Sequence, residues 1–101
     1  MVIDVPEICG DDLISRASGL KIRECILTHW DQDVIEIRLH GKLVGSVSFF
    51  DEAIGLLMKR EKKSLAEIKQ KLKFPDILKE DRVLLNHTVM TRVREQEIAA
   101  K

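Results

Sequence analysis

Few side chains in this chain are of a type that could do chemistry, and their spacing limits what that chemistry could be. His29, His40 and His87 are widely scattered, with no cysteine or carboxylate at ligand spacing, whereas zinc patterns need tight grouping. No metal site is therefore expected. Cys9 and Cys25 lack CxxC spacing, and a disulfide framework would need more cysteines. Cys25 would serve as a nucleophile only beside a partnered histidine, yet it falls on an apolar stripe that favours an inert core thiol. Asp51 and Glu52 are adjacent carboxylates, but a helix turns neighbouring side chains about 100° apart, a poor arrangement for an acid/base pair. No GxGxxG, P-loop or nucleophile-elbow sequence occurs, and Gly41 and Gly45 are too few to cradle a phosphate. The expectation is a protein that is not an enzyme and carries no cofactor.

Asp51 and Glu52 make better sense as part of a helix start. Ser48-Phe49-Phe50-Asp51 fits a capping box, in which a hydroxyl and an acid bind otherwise unpaired amides. Phe50, Ala53, Ile54, Leu57 and Met58 then recur at helical spacing, which predicts that Phe50 and Ile54 are buried. Asp51 and Glu52 would also sit at the positive end of the helix dipole.

The remaining elements follow from the same periodicities. Val2, Ile3 and Val5 favour a strand that Pro6 confines to an edge or ends. Asp11, Asp12 and Ser15 can cap a helix whose inner stripe is Ile22, Cys25, Ile26, His29 and Trp30. Gly19 within it predicts irregularity or close packing. Val34 to Leu39 alternates, with Ile35, Ile37 and Leu39 on one face. Leu43–Val47 reads as a loop running into the Ser48 helix. A second box, Ser64-Leu65-Ala66-Glu67, opens a short helix, and Lys71–Phe74 forms a brief strand before Pro75. Asp76 is expected to cap a final helix from about Ile77 to Ile98, with Leu78, Leu85, Val89 and Val93 inside. Strand and helix alternate three times, which predicts a small α/β sheet with helices mainly on one face.

The chain has 101 residues, 45% of them hydrophobic, so residues 1–101 are expected to form one domain. No run approaches the ~20 apolar residues of a membrane helix, and no signal peptide is evident. With the sparse cysteines, this predicts a reduced, cytoplasmic protein. Formal net charge is zero but uneven: residues 1–50 hold five Lys or Arg against eight Asp or Glu, residues 51–101 twelve against nine. Most of the excess lies in 59–73, including Lys59, Arg60, Lys62, Lys63 and Lys69. A solvated helical surface explains this segment; a phosphate-binding patch for nucleic acid is the alternative. Val89, Met90 and Val93 on the final helix either cover the sheet or pair with a second copy.

Ser46-Val47-Ser48-Phe49-Phe50-Asp51-Glu52-Ala53-Ile54-Gly55-Leu56-Leu57 resembles the signature of the small prokaryotic STAS-like domains. Three further segments agree, in order: Ile8-Cys9-Gly10 with Ser15-Arg16-Ala17-Ser18-Gly19, Ile35-Glu36-Ile37-Arg38-Leu39-His40-Gly41, and Glu80-Asp81-Arg82-Val83-Leu84-Leu85-Asn86. Arg38 replaces an acid usual in that family. The resemblance implies a STAS-type fold, with a mixed sheet of three to five strands and a long C-terminal helix. It also implies kinship with anti-sigma factor antagonists, which switch partners when a GHKL-type ATPase kinase phosphorylates a serine at the helix start. Such a partner would meet Ser46, Ser48, Phe49, Asp51, Glu52 and Gly55. The antagonists' acceptor hydroxyls are lost here at Glu52-Ala53, leaving Ser48 or Ser46 as displaced acceptors. The reading is a regulatory, non-catalytic interaction module; the alternative is a nucleic-acid-binding accessory or mobile-element regulator using 59–73.

Overall fold

Val2, Ile3, Ile35 and Ile37 are β-branched residues of the kind that suits a pleated surface, and they build two neighbouring parallel strands. In the computed structural model, which describes residues 1–99, β1 (Val2–Asp4) pairs with β2 (Ile35–Arg38), and β2 with β3 (Leu72–Lys73). The register sets Ile3 beside Ile37 and Ile35 beside Leu72, so these four residues share one apolar face of the sheet. All pairings among the described residues are parallel, in the order β1-β2-β3. The expected mixture of strand directions is thus corrected, because every connection between strands contains helices long enough to return the chain to the same end.

Pro6 ends β1 as the sequence predicts, but by starting a helix: α1 (Val5–Cys9) has Pro6 in its first turn and Asp4 as its cap. The longer α2 (Arg16–Thr28) is capped by Ser15, which accepts from the Ser18 amide. Ile22 and Ile26 are buried against the sheet, while His29 and Trp30 lie just beyond the helix end, half-buried. Residues 47–59 form one continuous rod in three pieces: α3 (Val47–Phe50), a wider π segment (Asp51–Gly55) and α4 (Leu56–Lys59). The short α5 (Leu65–Lys71) carries the expected capping box, with both Ser64 and Glu67 bonds formed. Last comes α6 (Lys79–Ala99).

The final helix starts at Lys79, and Asp76 does not cap it. Its carboxylate instead accepts from the Leu39 and His40 amides, each at 2.8 Å, and so closes the end of β2. Two aligned strand-end amides give a carboxylate a bidentate fit that one helix amide cannot match.

The core joins one sheet face to α2, the 47–59 rod and α6. Ile35, Leu57 and Ile26 are fully buried, and Phe50 and Ile54 are 1% and 2% exposed, as the helical stripe predicts. Phe49 and Phe50 meet edge to face at 5.6 Å. The opposite sheet face carries Val2, Glu36, Arg38 and Lys73, with Val2, Arg38 and Lys73 open to solvent. Val89 belongs to this core, and Met90 beside it is 39% exposed. No helix among the described residues is long and apolar enough to cross a membrane.

Candidate functional site

The rod at 47–59 begins two residues earlier than the Ser48 box predicts. Ser46 is the cap: its backbone is extended and its Oγ accepts from the Phe49 amide at 3.2 Å while donating to the Ile14 carbonyl at 2.7 Å. Ser48 is the second helical residue and half-buried. Three residues on from Ser46 stands Phe49, which has no group to reach back, so no box closes at this helix. Asp51 is thereby free for a different role.

That role is internal. Asp51, 6% exposed, accepts from Arg92 Nε at 2.8 Å and Nη2 at 2.7 Å, and from Arg16 Nη1 at 3.1 Å. Glu52 binds the buried Arg23 at 2.7 Å and lies 3.6 Å from Arg16. Arg92, together with Arg16, holds the Asp51 carboxyl below its usual range despite burial. Gly55 is what lets this happen. A Cβ there would come 2.5 Å from Asp51 Oδ1, so only glycine leaves room for the carboxylate along the π segment.

Of the expected contact residues, Phe49, Asp51 and Gly55 are therefore interior, and Ser46, Ser48 and Glu52 are half-buried. This redraws the surface around the helix entrance. Its exposed members include three apolar residues, Ile14 at 62%, Leu43 at 59% and Val47 at 46%, beside the Arg16 side chain at 52%. Ile14 is tied to Ser46 through its carbonyl, and Val47 follows the cap directly. The loop beneath them is held from inside by Asp81, a fully buried carboxylate that accepts from Val44 at 2.7 Å and Gly45 at 2.8 Å. Between this entrance and α6 lies a shallow cleft of about 180 Å³ that includes Val47, His87 and Thr91.

The sequence assigns no role to Arg16, Arg23, Arg92 or Asp81, although Arg16 and Asp81 stand within the segments that carry the STAS-like resemblance. Arg16 and Arg23 do stand seven apart on α2, hence on one helical face, and Arg23 adjoins the buried stripe. That was the available signal for two of them; partners 41 residues apart, such as Asp51 and Arg92, leave none.

The basic segment is split by the fold. Lys59, Arg60, Lys62 and Lys69 are exposed, whereas Lys63 lies 4.9 Å above the Trp30 ring, with Lys71 at 5.4 Å. The histidines stay apart from one another. His29 Nδ1 meets the Cys25 carbonyl at 2.9 Å, His87 is exposed, and His40 Nε2 lies 2.7 Å from Asp4 Oδ2. Among the described residues no three potential ligands cluster for a metal. Burial pushes both the Cys9 and Cys25 thiols up, away from the reactive thiolate.

No family model, no curated protein and no solved structure matches this chain.

Proposed function

We propose that this protein is a non-catalytic regulatory module of STAS type that docks a protein partner, a GHKL-type ATPase or kinase or a relative of one, at the helix entrance. The observation that carries the reading is that three exposed apolar residues, Ile14, Leu43 and Val47, stand on neighbouring backbone tied together by the Ser46–Ile14 and Val44–Asp81 hydrogen bonds. Exposed apolar residues on adjoining backbone can supply the apolar centre of an interaction surface, and hydrogen-bonded backbone lowers the ordering cost of binding. The four STAS-like segments, in order along the chain, support the family side of the reading. The ion pairs behind the surface support a docking role, because Asp51 and Glu52 are saturated by arginines and serve as bracing.

The test is direct titration of the purified chain with a GHKL-type ATPase encoded beside its gene, followed by calorimetry. Binding is expected, and Val47→Glu and Leu43→Glu should weaken it at least about tenfold with the fold intact. Absence of binding, or binding indifferent to both changes, refutes the reading.

One observation favours a second reading: Lys59, Arg60, Lys62 and Lys69 are exposed and have no carboxylate partner among the described residues. If they contact phosphates, affinity for duplex DNA falls steeply with salt. Lack of DNA binding at low salt eliminates it.

A further inference from the structure

Away from the helix entrance, an open groove of about 710 Å³ runs between α5 and α6, within the range that ligand sites occupy. Leu65, Phe74 and Met90 present its accessible apolar surface, above a floor of the buried Ile54, Ile68, Leu72 and Leu85. Its only charged lining groups are cations: Lys69 on α5, Lys73 on β3 and Arg82 on α6. None of the three forms an ion pair among the described residues. Lys73 Nζ is tethered to the Lys69 carbonyl at 3.1 Å, and Arg82 Nη2 to the Phe74 carbonyl at 3.3 Å. Lys69 on α5 and Arg82 on α6 thus set positive charge on both sides of an apolar trough, while Lys73 borders it from the outer sheet face, in a chain whose formal net charge is zero.

We propose that this groove binds an acidic amphipathic helix from another protein, its apolar stripe in the trough and its carboxylates against Lys69 on one side and Arg82 on the other. Cations on opposite walls call for an occupant with acid on both flanks, which a helix with apolar residues at i, i+3, i+4 and i+7 supplies. A single lipid carboxylate would reach only one wall, and an apolar floor offers nothing to a phosphate backbone. Met90 at the rim, unbranched and 39% exposed, can adapt to the entering side chains. The groove shares only Ile54 with the 47–59 rod, so this inference stands independently of the entrance surface.

The probe is a fluorescein-labelled peptide of about 15 residues, leucines on one face and glutamates on both flanks, read by anisotropy on the full chain. A second peptide has the same composition shuffled so that no apolar face forms. The amphipathic peptide is expected to bind at least about tenfold tighter than the shuffled one. Lys69→Glu and Arg82→Glu should each weaken it several-fold, with Lys69→Gln as the milder variant should a reversal unfold the chain. Methyl resonances of Ile68, Leu72 and Leu85 should shift, and those of Leu43 and Val47 should not. Equal binding of the two peptides, insensitivity to the charge changes, shifts confined to Leu43 and Val47, or displacement of the peptide by a DNA oligonucleotide would each overturn the proposal.

Discussion

Arg92 grips Asp51 with two hydrogen bonds, Nε to Oδ1 at 2.8 Å and Nη2 to Oδ2 at 2.7 Å, joining the final helix to the π segment of the rod. Both side chains are largely covered, at 16% and 8% exposed, and line the shallow cleft beside Val47, so water replaces a lost partner only in part. Removing one member of a covered pair strands the other charge. Arg92→Ala should therefore destabilise the fold by about 3 kcal/mol, the low end for such a cut because Arg16 remains. Urea unfolding would show it as a lower midpoint at unchanged slope. An unmoved midpoint would mean that Arg16 alone satisfies Asp51.

The same pair sets a pH dependence. The folded-state carboxyl of Asp51 lies below its ordinary value of 3.8, so its contribution is complete above that value. It is lost as pH falls through 3.8 toward the folded value, because the unfolded chain binds the proton first. Wild-type protein should lose stability over this acid window more steeply than Asp51→Asn, whose side chain does not titrate. Parallel acid titrations by circular dichroism would show the two curves converging as pH drops.

Two serines at the helix entrance are predicted to behave differently. Ser46 accepts from the Phe49 amide, so Ser46→Ala should cost about 1 kcal/mol. Ser48 stands inside the first turn, and Ser48→Ala should stay within about 0.5 kcal/mol. Thermal melts of the two variants decide which serine caps. Equal losses would restore Ser48 to the role that its spacing from Asp51 suggests.

That pair also shows where sequence reasoning reaches and where it stops. Periodicity located the stripes correctly, because burial repeats locally: Ile35 and Ile37 on one strand face, Ile22 and Ile26 on α2, Phe50 and Ile54 on the rod. The Ser64–Glu67 box was legible because both its bonds span three residues. The sequence places the helix start at Ser48 because its spacing to Asp51 fits a local box, whereas the true cap, Ser46, is held by the Ile14 carbonyl 32 residues away. Asp76 misled for the same reason. Its local surroundings suit a helix cap, while its carboxylate binds amides 36 and 37 residues earlier. Long-range polar pairing leaves no period in the chain, so the arginine cluster and the brace under the loop exist only in the folded chain.

Gly19 gives a clear steric prediction. A Cβ there would lie 2.7 Å from the Phe49 carbonyl oxygen and 2.8 Å from Glu52 Cβ, where α2 crosses the rod. Alanine gains about 1 kcal/mol of helix propensity over glycine, yet it must push two backbones apart. Overpacking of this kind costs about 1–3 kcal/mol. Gly19→Ala should on balance destabilise, and Gly19→Val more so. A stabilised alanine variant in chemical denaturation would show that the crossing has slack.

Asp81 links stability to the proposed docking surface. Its side chain is fully buried and accepts the Val44 and Gly45 amides, fixing the loop that carries Leu43 and leads into Val47. Asp81→Ala leaves two amides without acceptors and should cost about 3 kcal/mol. Asp81→Asn keeps one carbonyl oxygen and so should lose less. Hydrogen exchange separates a local from a global effect. If the carboxylate braces this loop, the Val44 and Gly45 amides in Asp81→Asn will exchange faster by a larger factor than core amides such as Ile37. Affinity for a partner at the entrance should fall in step, because the surface must then be ordered on binding. Uniform acceleration across the chain would mean instead that Asp81 supports the whole fold without specially shaping the loop.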